Sequence, residues 1–566
     1  KNMAATSSDI SVTAGSDTNQ QAPFVGQVKM ATTPKSRVEP FRVPELNEST
    51  VALLNSLLSR RQAITFDEIT LADRPSSVHP NDTRLHSWVS RHIKLKGCGI
   101  MSAAMDTVTE AELALALAKS GGIGVIHRNL DAQDQADMVR WVRRKIHYGG
   151  MIDRPISFPP HKRLSDVQAA IRERGFTFTS FPIVSEEEGR LVGMLTRDEM
   201  DFVSGLEDPP LGELMKPLDT LVHAPVGTTT AQAFDIMRTR HVKKLPVLDA
   251  QGQLHGMFVW SDIKKDHHKQ DKFSLDEHGN FYVGAAIGVG PNDLERAVRL
   301  VEDAHCPLLV IDSSHGACLP ALQQIAAIRK RFGDRVDIIA GNVASYESAM
   351  YLLKGLDGHR PDGLKVGIGP GSICTTRQVT GHGVPQATAV YDVWRATRDF
   401  ADQEGYHVPV VADGGIRTSG DIVKCFAMGA SGVMLGSVFA GTSESPGLVV
   451  QKGGKRYKTI RGMGSRAAME QRSGSRARYY REESQHQSEK LTSAQKEKMV
   501  PEGVEGLVEL KGTVELLMNT LLGGVQAGLG HTGADNIRAF QSAAEIWTQS
   551  SAGISEGRPH SIQDVR

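Results

Sequence analysis

The chain has few cysteines, no excess of either charge and no long apolar run, and each absence excludes a class of protein. Its five cysteines include no Cys-x-x-Cys pair. They therefore do not fit a disulfide scaffold or a zinc knuckle, and they agree with a reducing compartment. Lys+Arg and Asp+Glu both number 65, so bulk charge predicts no nucleic-acid or anionic-membrane partner. With no apolar run near the ~20 residues of a membrane helix and no hydrophobic signal core, we expect a cytoplasmic protein.

The length and the order of apolar segments predict a large barrel with an insert. A chain of 566 residues is too long for one compact core. Residues 1–50, rich in Ser, Thr, Gln, Ala and Pro, are typical of a disordered N-terminal arm. Short apolar strands follow at 99–102, 122–126, 282–287, 308–311, 337–340, 364–367, 408–412 and 432–435.

Most of these strands precede a helical pattern, which is typical of parallel strands buried on both faces. Eight of them predict a (β/α)8 barrel, with the chemistry at the carboxyl ends of the strands. An open doubly wound sheet is the alternative, although no Gly-x-Gly-x-x-Gly opens a helix after the first strand. The polar residues near the predicted strand ends are Asp106, Asp312, Asn342, Cys374, Asp413 and Ser437.

The segment between the second and third strands contains an internal repeat. Residues 181–194 carry Phe-Pro-Ile-Val and then Gly-Arg-Leu-Val-Gly-Met, and residues 245–257 repeat this as Leu-Pro-Val-Leu and Gly-Gln-Leu-His-Gly-Met. A predicted helix precedes each copy, at 164–174 and 230–239. The chain is thus divided into a first barrel part at 51–150, a tandem insert at 151–270 (units at about 152–210 and 214–270) and a second barrel part at 271–566.

A glycine-rich loop with one cysteine is the most informative stretch of the chain. The run Lys-Val-Gly-Ile-Gly-Pro-Gly-Ser-Ile-Cys-Thr-Thr-Arg begins at residue 365. Its glycines permit backbone conformations and close approaches that side chains prevent. Cys374 lies beside hydroxyl residues, and the charge of Arg377 favours a thiolate. This pattern indicates a nucleophilic cysteine, although an isolated cysteine is more often a small buried apolar residue.

With its continuation Gln-Val-Thr-Gly-His-Gly-Val-Pro-Gln-Ala-Thr-Ala-Val, this loop resembles the catalytic loop of the IMP dehydrogenase/GMP reductase family, the dehydrogenases more closely. The resemblance extends over nearly the whole chain after about residue 55. It implies a TIM barrel with an inserted tandem CBS (Bateman) domain, whose modules often bind regulatory adenine or guanine nucleotides. The alternative for the repeat is a pair of structural units without a ligand.

The resemblance also implies a covalent mechanism. Cys374 would add to C2 of the hypoxanthine ring of IMP, a hydride would leave to NAD+, and hydrolysis of the resulting thioimidate would release XMP. Arg478 and Tyr479, on a mobile flap at about 462–500, would activate water, and Thr376 and Glu502 resemble a second proton relay. Without the family context, the Arg-Tyr pair would be an exposed basic patch.

Binding roles also follow from the resemblance. Glycines after strands seven and eight suit an anion, and Asp413 suits ribose hydroxyls. The implied substrate residues are Met105, Ser372, Asp413, Gly414, Gly415, Gly436, Ser437, Gly462, Met463, Gly464 and Glu502. The implied NAD+ residues are Asp312, Ser313, Ser314, Asn342, Gly367 and Gly369. The implied K+ ligands are the carbonyls of Gly369, Gly371 and Cys374 with Glu556, Gly557 and Arg558 of a neighbouring subunit, which implies a homotetramer.

One position departs from the pattern of the family. The dehydrogenases usually have Tyr before Arg-Gly-Met-Gly-Ser, where it contacts the substrate phosphate, and here the residue is Ile460. We expect an IMP dehydrogenase of guanine nucleotide biosynthesis. The alternatives are a CBS-containing GMP reductase, which converts GMP and NADPH to IMP and ammonia, and a non-catalytic nucleotide-sensing CBS protein. The intact Cys374, Thr376 and Asp413 argue against the last of these.

Overall fold

Eight short parallel strands close into a barrel in the computed structural model, which describes residues 40–148, 151–153, 155–174, 178–203, 208–267, 270–471 and 500–559. The strands are Ile100–Ser102 (β1), Ile123–Ile126 (β2), Val283–Ile287 (β3), Leu308–Asp312 (β4), Asp337–Val343 (β5), Gly363–Val366 (β6), Val410–Asp413 (β7) and Gly432–Leu435 (β8). Each pairs with the next, and β8 closes on β1 through the register Val433 to Ile100. The (β/α)8 prediction is confirmed, and the open-sheet alternative is wrong.

The strands read as nearly continuous apolar runs because both of their faces are buried. Every strand residue is buried except Asp413 at the carboxyl end of β7, which is partly exposed. The outer helices are Ala111–Lys119, Ala132–Tyr148, Pro291–Val298 (continued by a π-turn at Arg299–Asp303), Leu319–Phe332, Tyr346–Lys354, Gln386–Glu404, Ser419–Ala427 and Val514–Thr532.

The last outer helix is separated from β8 by a long excursion. This excursion contains the helices Ser437–Ala440 and Arg466–Gln471 and an antiparallel sheet of Val449–Lys452, Lys455–Arg461 and Glu505–Glu509. The described part of the excursion rises from the carboxyl end of β8, so it stands at the face of the barrel where chemistry is expected.

A hairpin closes the opposite end of the barrel. Its strands, Ser87–Trp88 and Lys94–Leu95, place Val89 and Leu95 in the apolar cluster that fills the barrel interior. The backbone N–H of His92 in its turn donates to Asp337 Oδ2 at the start of β5 (3.1 Å). Within the described residues, this hairpin covers the end of the barrel opposite to the carboxyl face.

The last ten residues of the predicted arm, 41–50, contain packed side chains and the start of a helix. Phe41 and Leu46 are buried, and the helix Glu48–Ser59 starts where the Asn47 side chain accepts from the N–H groups of Ser49 and Thr50. The last ten residues of the predicted arm are therefore packed. The remaining terminal elements are Phe66–Glu68, Ile69–Leu71, Pro80–Asp82, Ile537–Ala543, Ile546–Thr548 and Ser551–Glu556.

The insert contains two small sheets that correspond to the two copies of the repeat. The first sheet has Phe181–Val184, Leu191–Leu195 and Lys216–Pro217, and the second has Ala224–Pro225, Lys244–Leu248, Leu254–Val259 and Met151–Asp153. The helices and turns of the insert are Leu164–Arg174, Arg197–Asp201, Leu211–Leu214, Leu218–Thr220, Thr230–Arg240, Trp260–His267 and Gln270–Lys272.

The two copies exchange edge strands, so neither predicted unit boundary separates them. Met151–Asp153, at the start of the insert, pairs with Leu254–Val259 of the second copy. Lys216–Pro217, which precedes the second copy, pairs with Leu191–Leu195 of the first. The hairpin turns also meet, because Leu191 N donates to Gly252 O (3.1 Å). Within the part of the chain that the structure describes, no helix is long and apolar enough to cross a membrane.

Candidate active site

A cleft at the carboxyl face of the barrel brings together most of the predicted site residues. It is lined by Met105, Asp312, Ser313, Ser314, Asn342, Gly367, Gly369, Gly371, Cys374, Thr376, Asp413, Gly414, Gly462, Met463, Gly464 and Glu502. All six predicted NAD+ residues belong to this set. The cleft also contains residues that the sequence analysis did not single out, of which Lys365 is the most important.

Four predicted substrate residues do not line this cleft but adjoin it. Ser372 lies between two of its lining residues, and Gly415 follows Gly414. A methyl group added at Gly436 would lie 3.5 Å from Met105 Sδ, and Ser437 begins the helix after it. Ser372 belongs to the loop after β6, whereas Gly415 follows β7 and Gly436 and Ser437 follow β8, in the loops where barrels of this kind often bind phosphate.

The remaining predicted residues lie elsewhere or are not described. Arg478 and Tyr479 lie outside the described residues, as does most of the predicted flap. Glu556, Gly557 and Arg558 lie near the end of the described C-terminal segment, and the charge of Arg558 helps to lower the pKa of Asp67, after the larger effect of the hydrogen bond from Arg417.

Two glycines fix the shape of the loop that carries the cysteine. Gly367 has φ +143°, and a Cβ there would lie 2.1 Å from the carbonyl oxygen of Asp413. Gly414 has φ +91°, and a Cβ there would lie 2.9 Å from Pro370. Side chains at either position would separate the loop after β6 from the loop after β7, so the glycines allow both loops to border one cleft.

Cys374 begins a directed chain of hydrogen bonds. Its Sγ lies 3.2 Å from Thr376 Oγ1, and Thr376 Oγ1 donates to Glu502 Oε2 at 2.7 Å. The two bonds run in one direction, from thiol to hydroxyl to carboxylate. A proton can therefore pass from Sγ to Glu502 while Thr376 ends with its own proton restored, which is the arrangement that general-base activation of a thiol requires.

The carboxylate of this chain is held by backbone pairing, although it lies 128 positions after Cys374 in the sequence. Thr375 N donates to Glu502 O, and Val504 N donates to Ile373 O, each at 2.9 Å. The segment around Glu502 is thereby fixed beside the cysteine loop, and the relay does not depend on side-chain packing alone.

Arg377 supports the loop instead of pairing directly with the thiol. Its Nε donates to Ile368 O (3.0 Å) and its Nη2 donates to Val384 O (2.5 Å). Burial lowers the pKa of Arg377, and the nearby Cys374 opposes this effect. The cation thus lies near the sulfur while it ties together the two sides of the loop.

Lys365 is a buried residue of the cleft that the sequence analysis missed. Its side chain is 2% exposed, and Nζ donates to Asp312 Oδ1 (3.4 Å), to Asn342 Oδ1 and to Asp413 Oδ2 (2.7 Å). Asn342 Nδ2 donates in turn to Asp413 Oδ2 (2.9 Å) and Gly367 O (2.7 Å). The available signal was a single charged residue within the apolar strand Gly-Leu-Lys-Val, since buried lysine is rare without partners.

A second ion pair fixes the base of the excursion beside the cleft. Arg461 Nε lies 3.0 Å from Asp106 Oδ1 and Nη2 lies 2.6 Å from Oδ2, and Asn129 Nδ2 also donates to Oδ2 (2.7 Å). The bidentate bond raises the pKa of Arg461. Because Gly462, Met463 and Gly464 follow directly, this pair sets where they enter the cleft.

Ile460, the residue that departs from the expected pattern, belongs to the apolar core. It is 3% exposed and lies opposite Gly506 in the antiparallel sheet. Its side chain therefore packs inward and presents no hydrogen-bonding group.

Comparison with known proteins identifies the family. A family model described as the IMP dehydrogenase / GMP reductase domain matches residues 63–560. The chain belongs to the IMP dehydrogenase/GMP reductase family. The match includes the barrel, the insert and the excursion, in agreement with the resemblance of the cysteine loop.

Individual relatives come from both branches of the family. The chain is 39% identical to the inosine-5′-monophosphate dehydrogenase of Aquifex aeolicus over 507 residues, which cover 89% of this chain and 97% of that protein. It is 39% identical to the enzyme of the same name from Bacillus subtilis over 504 residues (89% and 96%). It is also similar to a crystal structure of a Cys→Ala variant of GMP reductase from Trypanosoma brucei with bound GMP, at 34% identity and a TM-score of 0.69 over 90% of this chain and 100% of that one.

Proposed function

We propose that this protein is an IMP dehydrogenase that oxidises IMP to XMP with NAD+ and water in guanine nucleotide biosynthesis. The observation that carries the covalent mechanism is the directed relay Cys374–Thr376–Glu502 at the mouth of the barrel. The similarity to several curated IMP dehydrogenases over 89% of the chain supports the choice of substrate.

The relay supplies the first step. A thiol attacks as its thiolate, so Thr376 passes the Sγ proton to Glu502 as sulfur bonds to C2 of the hypoxanthine ring. The hydride on C2 then leaves, which gives a thioimidate in which Cys374 remains bound to the base. Attack by water on C2 and cleavage of the carbon–sulfur bond release XMP and return the thiol. Activation of this water by Arg478 and Tyr479 remains a prediction.

The residues that line the cleft fit two ribose-containing ligands. Asp413 accepts hydrogen bonds from the ribose hydroxyls of IMP. The phosphate of IMP lies among Ser372, Gly415, Gly436 and Ser437. Asp312, Ser313 and Ser314 would hold NAD+, which accepts the hydride when bound. Carboxylates suit vicinal hydroxyls because an ionised acceptor strengthens each hydrogen bond.

Backbone oxygens of the cysteine loop fit a monovalent cation. The proposed K+ ligands are the carbonyls of Gly369, Gly371 and Cys374, and oxygen donors of this type suit hard cations. Gly371 O already accepts from Cys374 N at 3.0 Å, which holds that carbonyl in a fixed direction and leaves a second lone pair. The other ligands would come from a neighbouring subunit of a homotetramer.

The insert would then have a regulatory role. Its two repeats have the helix–hairpin–helix order of paired CBS modules, and we propose that they bind adenine or guanine nucleotides. The predicted cytoplasmic location agrees with the five cysteines, all of which are free thiols.

GMP reductase is the second candidate, and it rests on one observation. The GMP reductase structures from Trypanosoma brucei match over their full length at 33% and 34% identity, so the fold and the cysteine site do not by themselves distinguish the two reactions. A reductase uses the same cysteine to expel ammonia from GMP and needs no hydrolytic step.

Absorbance at 340 nm in two parallel assays with K+ present separates the candidates. One cuvette contains the protein with IMP and NAD+, and the other contains the protein with GMP and NADPH. We expect absorbance to rise in the first and to stay constant in the second. A fall in the second alone would refute the dehydrogenase and establish the reductase, and silence in both would favour a non-catalytic nucleotide sensor.

A further inference from the structure

One buried ammonium joins the two carboxylates that border the cleft. Lys365 lies on β6, between β5 and β7, and its three N–H donors meet three acceptors from three different strands: Asp312 on β4, Asn342 on β5 and Asp413 on β7. A lysine ammonium has no further donor. The group is therefore fully committed to the protein and has no proton left for a ligand.

The carboxylates depend on this cation for their proximity. Because both contact one nitrogen, at 3.4 and 2.7 Å, their contacting oxygens lie within about 6 Å of each other, a distance at which two buried negative charges repel each other. Asp312 is 6% and Asp413 19% exposed, so water screens this repulsion only weakly. Removing the ammonium would leave a buried negative pair without compensation.

Among the described residues, the side chain of Asp413 is held through one of its two carboxylate oxygens. Both Lys365 Nζ and Asn342 Nδ2 engage its Oδ2. These contacts leave Oδ1 for a ligand hydroxyl, and they make the direction of that oxygen depend on the position of Nζ. Since Nζ also contacts Asp312, a shift of the ammonium moves both carboxylates together.

We propose that Lys365 is a positioning residue that couples the substrate and dinucleotide subsites, so that loss of its charge weakens both ligands at once. This rests on the proposed function, in which Asp413 holds the IMP ribose and Asp312 holds NAD+. Lys365 acts through these carboxylates and touches neither ligand.

Equilibrium binding to the full-length chain tests the coupling. All proteins carry Cys374→Ala to prevent turnover, and calorimetry measures the Kd of IMP and then the Kd of NAD+ for the IMP complex. Lys365→Met should raise both values roughly tenfold or more, since bonds to charged groups are lost at both carboxylates. Asp312→Asn should mainly affect NAD+, and Asp413→Asn should mainly affect IMP.

Matched controls separate positioning from packing. Lys458→Met removes another buried lysine (4% exposed), whose Nζ donates to Ser445 O at 2.6 Å, and it should change neither Kd. Lys365→Arg, which keeps the charge, should restore part of the affinity. Lys365→Gln replaces the methionine variant if that protein does not fold, as judged by its unfolding temperature.

Rescue by the charged variant gives a second readout. Asp312 and Asp413 both contact the ammonium of Lys365, so Lys365→Arg should recover affinity for both ligands if the charge positions the two carboxylates, whereas a packing defect would persist in that variant. An effect of Lys365→Met on one ligand only, or a Lys365→Arg variant that binds both ligands no better than Lys365→Met, would overturn the inference. Binding of neither nucleotide by the parent protein would refute the proposed function and the coupling with it.

Discussion

Replacing Thr376 with valine is the sharpest test of the proton relay. Valine has nearly the shape of threonine but lacks the hydroxyl, so the substitution removes the 3.2 Å contact to Cys374 Sγ and the 2.7 Å bond to Glu502 Oε2. The cysteine and the carboxylate both remain, with no group between them to pass the proton.

The expected loss follows from the bond to the carboxylate. A hydrogen bond to a charged group contributes about 1.5–3 kcal/mol, and each 1.4 kcal/mol of barrier corresponds to about a tenfold change in rate. The step that forms NADH should therefore slow by about 10- to 100-fold, which lies at or below the lower end of the range of about 100- to 10,000-fold for general-base catalysis. The equilibrium binding of IMP should change little, because Thr376 is not assigned to the substrate.

Stopped-flow absorbance at 340 nm measures this step as the first turnover after IMP and NAD+ are mixed with the protein. Thr376→Ser keeps the hydroxyl and should retain most of the rate. Thr380→Val removes a hydroxyl from the short helix Thr376–Thr380 that also contains Thr376. This hydroxyl bonds to backbone groups in the described structure, so its loss should leave the first turnover unchanged. A valine variant within about twofold of the wild-type rate would show that the proton leaves by another path.

Three further outcomes are expected. Cys374→Ser should abolish turnover and leave IMP binding nearly intact by calorimetry, and weak binding would contradict its role as nucleophile. Gly367→Ala should abolish turnover and lower the unfolding temperature, because its Cβ would meet Asp413 O at 2.1 Å. Gly381 also has a positive φ (+72°) but has open space around it, so Gly381→Ala should lower the free energy of unfolding by only about 1 kcal/mol. Equal effects of the two substitutions would exclude the steric argument. The hydrogen bond to Asp337 raises the pKa of His92 above 6.5. The stabilisation of the folded protein by this bond is therefore complete below about pH 6.5 and is lost as the pH rises through the folded-state pKa. The difference in unfolding temperature between wild type and His92→Gln should shrink from about pH 6 to pH 9, and a constant difference would refute the linkage.

The barrel and the cysteine loop were predictable because their determinants are local. Strands that are buried on both faces are continuous apolar runs, and the helices between them have apolar residues at helical spacing. All eight strands could therefore be placed from the sequence alone. Glycines around Cys374 likewise mark a turn that borders a ligand. The helix 164–174 was placed with its observed bounds for the same reason.

Features that depend on distant contacts could not be derived in this way. The ion pair of Asp106 and Arg461 joins positions 355 residues apart. No pattern of neighbouring residues predicts such a contact. Lys365 was predicted only as part of a strand. A single charged residue in an apolar strand nevertheless indicates that its charge has buried partners. The packing of residues 41–50 was missed because the polar composition of residues 1–50 as a whole was used to predict the arm. The buried Phe41 and the helix-capping Asn47 were not considered separately.

The exchanged strands of the insert bear on how this segment can be inherited or lost. Deleting residues 214–270 would remove the partner of Met151–Asp153 and take Lys216–Pro217 from the edge of the remaining sheet. This deletion thus damages the first copy of the repeat, which it was meant to spare, and the remaining copy would expose unpaired backbone at the edges of its sheet. The two copies therefore form one cooperative folding unit, so calorimetry should record a single transition for the insert, and viable deletions should remove both copies together.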